Sequence, residues 1–252
     1  MLNSDITFIV PTKAIDLESS AYHTWQSIRQ YYPNSKIYII DSDSPYKGYA
    51  ERVADEKTTV LFNKNKNYDI GAYLYGMNKD KFQSNAYVCI HDSVTLKKSL
   101  KVNCGEVGCF YRFRSFDGIG ESWHTTRART TNKIWKRYEI QKYQLYGFDN
   151  NDQRTFTVRN LNKLNISMPE YFSGVFGPIF YINKYYAKKL YNDFANLDLP
   201  TNKNEQKAFE RIVGVYLQKN GIDLRKNIIE GEYLSSHLDD AKYIKKIIRN
   251  RK

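Results

Sequence analysis

Four short apolar runs, each closed by polar or turn-forming residues, constrain this chain more than any other feature. Ile6 to Val10 stops at Pro11-Thr12, and Lys36 to Ile40 stops at Asp41-Ser42-Asp43-Ser44-Pro45. Thr58 to Phe62 is the third run, and Ala86 to Ile90 leads directly into His91-Asp92-Ser93. Continuous apolar runs of this length read as strands buried on both faces. A helix capped by Ser19 or Ser20 and ended by Pro33-Asn34 separates the first two, with Trp25, Ile28 and Tyr32 on one face, and a second helix starts near Tyr68. Strands alternating with helices give an α/β fold with a mostly parallel sheet and right-handed crossovers. Ligands of such sheets bind at the carboxyl ends of the strands, where three of these runs present polar groups.

The pattern loosens from Lys101 to about Asn165, then returns as a turn and strand over Gly174 to Ile182 and helices over Tyr185 to Phe194 and Asn204 to Lys219, the last ended by Asn220-Gly221. No linker or repeat divides the chain, so residues 1–252 read as a single domain, with a change of pattern at about residue 100. Cys89, Cys104 and Cys109 form neither a paired framework nor a zinc spacing, which suits a reducing cytoplasm. The N-terminus carries no signal-peptide pattern, and no run reaches the roughly 20 apolar residues of a membrane span. The net charge of +12 attracts polyanions, phosphate being the simplest. The densest basic stretch, Lys242 to Lys252, has Ile244, Ile247 and Ile248 at helical spacing and reads as a solvated helix end, with a peripheral membrane or polyanion contact as the alternative.

The ordered set of Ile-Val-Pro-Thr, Ile-Ile-Asp-Ser-Asp-Ser, Asn67-Tyr68-Asp69-Ile70-Gly71-Ala72-Tyr73 and Ile90-His91-Asp92-Ser93 resembles the GT-A glycosyltransferase superfamily, closest to rhamnan-synthesis-type polysaccharide glycosyltransferases. The resemblance spans about residues 6 to 96, and more weakly 174 to 221. It implies a GT-A-like, Rossmann-like fold and transfer of a sugar from a nucleoside diphosphate, UDP being the expected one, to a glycan acceptor with inversion. Thr12, Asp41, Asp43 and Asp69 would line the nucleotide cleft. Capping is the alternative role for the acids, an Asx turn for Asp41 or Asp43 and a helix N-cap for Asp69.

The resemblance further implies Mn²⁺ or Mg²⁺ on an acidic strand end, because hard cations prefer oxygen ligands. Here that strand end offers the single carboxylate of Asp92, to which His91 or His237 would have to add, or Lys and Arg would replace the metal. As a residue at a strand end, Asp92 is expected to contribute little to the core. Glu210 lies eleven positions before Gly221 and, in the resemblance, is the general base; a surface ion pair is the other reading, and Glu205 is the substitute. Phe209, Ile212, Val213 and Tyr216 form an apolar stripe, so Glu210 should emerge at its edge. Gly177 would pass beneath the donor sugar or form a plain turn. Trp123, His124 and Trp135 would stack on acceptor sugars or fill the core. The rivals are a basic nucleic-acid-binding protein, disfavoured by dispersed cations and acidic strand ends, and a catalytically inactive sugar-nucleotide-binding relative.

Overall fold

The computed structural model describes residues 5–15, 20–64, 66–102, 105–114, 148, 150–169, 171–232 and 241–246. His237, Trp123, His124, Trp135 and Cys104 lie outside them.

The four apolar runs form β1 (Ile6–Thr12), β2 (Lys36–Ser42), β3 (Thr58–Asn63) and β4 (Ala86–Cys89), joined by α1 (Ser20–Tyr31), the short α2 (Tyr49–Arg52) and α3 (Tyr68–Lys79). Their order in the sheet is β3-β2-β1-β4, all parallel. β1 is buried along its whole length. Alternation sends Phe8 and Val10 into a core with Ile28 of α1, and Ile9 into another with Tyr73 and Met77 of α3, so both faces are covered.

Beyond β4 the sheet becomes mixed. β5 (Val94–Leu96) leaves the sheet, and β6 (Gly108–Arg114), β7 (Ser173–Val175) and β8 (Phe180–Asn183) extend it in the order β4-β8-β6-β7, antiparallel at each step. β9 (Ile228–Glu232) pairs parallel with β6 as the eighth strand. The expected mostly parallel sheet is therefore the β1–β4 half. Helices α4 (Asn151–Lys163), α5 (Lys184–Phe194) and α6 (Lys203–Lys219) follow in chain order. The apolar stripe of α6 faces inward as its spacing requires: Phe209, Ile212 and Val213 are fully buried and Tyr216 nearly so. Each such side chain contributes roughly 1.5–3 kcal/mol.

The end of the chain corrects the sequence reading. Ile244–Lys246 is strand β10, antiparallel to β5, where the isoleucine spacing suggested a helix end. Three residues are too few to establish a period, and the pairing partner lies about 150 positions earlier in sequence.

Candidate functional site

Chain order creates a crevice before any side chain is considered. β2 lies on one side of β1 and β4 on the other, so the connections leaving β1 and β3 diverge between β1 and β4. Such switch points, at the carboxyl ends of the strands, leave room for a ligand. Thr12 ends β1 and His91-Asp92 follows β4. They meet: Thr12 Oγ1 donates to Asp92 Oδ2 at 2.8 Å, and Thr24 Oγ1 of α1 donates to the Asp92 carbonyl at 2.7 Å. Asp92 is 8% exposed and takes part in a buried network, which corrects the expectation that it adds little to the core.

A second group sits beside the first. Asp69, in the first turn of α3, caps nothing; the N-cap is Asn67. Its Oδ2 lies 3.2 Å from His91 Nε2 and also accepts from the Gln206 side-chain amide of α6. Burial pushes the Asp69 carboxyl up, but the facing His91 and the Gln206 amide outweigh it and hold its pKa below the ordinary value. Gly177, in the turn between β7 and β8, has φ of +63°, and a Cβ there would lie 3.3 Å from His91 Cε1. Its amide donates to Glu210 Oε1 at 3.1 Å, and Glu210 Oε2 pairs with Arg211 at 3.0 Å. Glu210 is 14% exposed, at the edge of the buried face. His91, Tyr111, Phe176 and Gly177 line one pocket together with Ala241 and Ile244.

Asp41 and Asp43 go separate ways. Asp41 is fully buried, its oxygens accepting from Ser44 N at 2.8 Å, Lys47 Nζ at 3.1 Å and Tyr49 Oη at 2.6 Å. This is the Asx-turn arrangement that the sequence left as the alternative role. Burial works to raise its pKa, but the bonds from Tyr49, Ser44 and Lys47 prevail and lower it. With a folded pKa below the unfolded one, Asp41 stabilises the fold above the ordinary carboxylate range, and that contribution is lost as pH falls through the folded value. Asp43 is exposed, with φ of +61°. Beside it on the sheet edge Phe62 is 57% exposed, with Lys47 Nζ 5.1 Å from its ring centroid.

No protein-family model and no curated protein matches this chain.

Five of the residues singled out in the sequence, Thr12, Asp69, Asp92, Gly177 and Glu210, thus gather at the switch point with His91, while Asp41 is held in an Asx turn and Asp43 is exposed after the end of β2. Sequence reasoning missed Gln206, Arg211 and Tyr73. Tyr73 lies one helical turn after Asp69, so i, i+4 spacing pointed to it. Its buried hydroxyl bonds to no described residue, and burial with the charges of Asp69 and Asp92 nearby pushes its pKa well up. Cys89 and Cys109 are free and buried, which pushes the Cys109 thiol up to about 12 and makes both unreactive. Among the described residues no three His, Cys, Asp or Glu side chains gather as a cation cage. A divalent cation held largely by substrate phosphates needs only one or two protein carboxylates, and Asp92 is the one that would contribute here.

Proposed function

We propose that this chain is a nucleotide-sugar-dependent glycosyltransferase of the GT-A type, inverting, with a UDP-linked donor and a carbohydrate acceptor, working in the cytoplasm. The observation that carries the reading is the convergence of Thr12, Asp69, His91, Asp92, Gly177 and Glu210, from five separate segments, on the switch-point crevice. A sheet built for stability alone has no need to gather one buried and two half-buried carboxylates around one crevice.

In this reading the nucleotide lies along the ends of β1 to β3, its base near Phe62 and Asp43 and its diphosphate toward Asp92. The side-chain-free surface of Gly177 lets the donor sugar approach the backbone. Glu210 takes the proton of the acceptor hydroxyl as that oxygen bonds to the anomeric carbon and the bond from carbon to diphosphate breaks. The charge developing on the leaving diphosphate requires nearby cations, for which Arg211 of α6 and the exposed Lys203 at its start are the candidates.

Release of UDP from a panel of UDP-sugars, with glycan acceptors present, tests the reading. Glu210→Gln should lower kcat roughly a hundredfold with donor affinity unchanged. Glu205 instead accepts from Thr201 N at 2.7 Å and Thr201 Oγ1 at 2.9 Å in a capping arrangement, so Glu205→Gln should remain active. Normal turnover by Glu210→Gln would place the base elsewhere.

A further inference from the structure

The ladder of β5 and β10 carries a cluster of lysines that forms no ion pair among the described residues. In its register Ile244 faces Leu96 and Lys245 faces Thr95. Side chains alternate across a strand, so Leu96 and Ile244 turn inward, both buried, and Lys245 turns to solvent. Lys97 N donates to the Tyr243 carbonyl at 2.8 Å, and Lys97 Nζ to the Ala241 carbonyl at 2.7 Å. The Lys98 ammonium lies 4.2 Å from the Tyr243 ring centroid, and Lys242 is exposed beside it. Lys97, Lys98, Lys242 and Lys245 therefore share one corner, and among the described residues none of them forms a salt bridge. Among the described residues, Glu230 touches the corner and is turned to the backbone. Its oxygens accept the amides of Lys242, Tyr243 and Ile244 at 2.7, 2.5 and 2.7 Å.

We infer that this corner docks the protein onto an anionic lipid surface. Lysine is a compact point charge without the fork that shapes a bidentate site, so four of them sense the density of negative charge more than the outline of one ligand. A layer of anionic headgroups supplies that density. Each lysine near such a surface strengthens binding about fivefold. Tyr243 and Tyr31, whose hydroxyl donates to the Lys97 carbonyl at 2.6 Å, flank the corner with rings suited to the headgroup level. A single-stranded nucleic acid, the competing polyanion, is held by bases stacked on open aromatic rings, and the Tyr243 ring already carries Lys98 on one face.

The test is co-sedimentation of the full chain with vesicles of phosphatidylcholine containing phosphatidylserine, against pure phosphatidylcholine. Binding is expected only with phosphatidylserine, and it should weaken as salt rises. Lys98→Gln with Lys245→Gln should reduce it about 25-fold. Lys184→Gln with Lys188→Gln, exposed on α5 and removing the same charge, should leave it unchanged. Equal losses in the two double variants, no binding to phosphatidylserine vesicles, or preference for a short single-stranded oligonucleotide over the vesicles would each overturn the inference.

Discussion

Asp92→Asn is expected to abolish sugar transfer, lowering kcat roughly a hundred- to a thousandfold, while the melting temperature hardly moves. The two effects separate because the side chain has two roles. Its Oδ2 holds the buried Thr12 hydroxyl at 2.8 Å, and asparagine keeps an oxygen for that bond. What asparagine removes is the charge at the end of β4, which in the proposed reaction would hold a divalent cation against the donor diphosphate. Asp92→Ala is a poorer probe: it leaves the Thr12 hydroxyl without its acceptor at a cost of about 1–3 kcal/mol, so lost activity would be mixed with lost stability. Steady-state kinetics and a thermal melt on the asparagine variant distinguish these outcomes, and full activity would remove Asp92 from the mechanism.

The largest effect on stability is expected from Gly214→Ala, at about 1–3 kcal/mol or more. A Cβ on Gly214 would stand 2.0 Å from the Ser173 carbonyl oxygen and 2.7 Å from the Gly174 Cα, both backbone atoms of β7. No side-chain rotation relieves that clash, so α6 must move away from the sheet. Gly214 lies one turn after Glu210, on the helix that brings Glu210 Oε1 to the Gly177 amide. The same substitution should therefore lower kcat in whatever fraction still folds. Urea denaturation gives the first quantity; an unchanged midpoint would mean that the close approach of α6 to β7 is misplaced.

The parallel half of the fold was legible because β1 to β4 are continuous apolar runs with turn signals at their ends, and each lies within a residue or two of its expected limits. β6 escaped notice because Gly-Cys-Phe-Tyr-Arg-Phe-Arg mixes aromatic residues with arginine, and its partners β7, β8 and β9 lie far along the chain. α4 was hidden by its polarity. It buries Gln153, Thr157 and Asn160 as well as Phe156 and Leu161, and its polar side chains bond back to its own carbonyls. At the site, motif order brought out Asp92, Asp69 and Gly177, but nothing in Asp41-Ser42-Asp43 told the turn-forming acid from the exposed one. The Tyr49 hydroxyl on Asp41 Oδ2 decides that, and Tyr49 is an unremarkable helix residue in the sequence. Likewise the pairing of Gln206 with Asp69 joins residues 137 positions apart, beyond any local pattern.

Calorimetric titration of UDP into the full chain, with and without Mn²⁺, tests most directly whether the switch-point crevice is a nucleotide site. One site with micromolar to millimolar affinity, about −8 to −4 kcal/mol, is the predicted result. The absence of binding heat for UDP and every other nucleoside diphosphate, alongside tight binding of a short oligonucleotide, would contradict the glycosyltransferase reading and favour a nucleic-acid-binding protein.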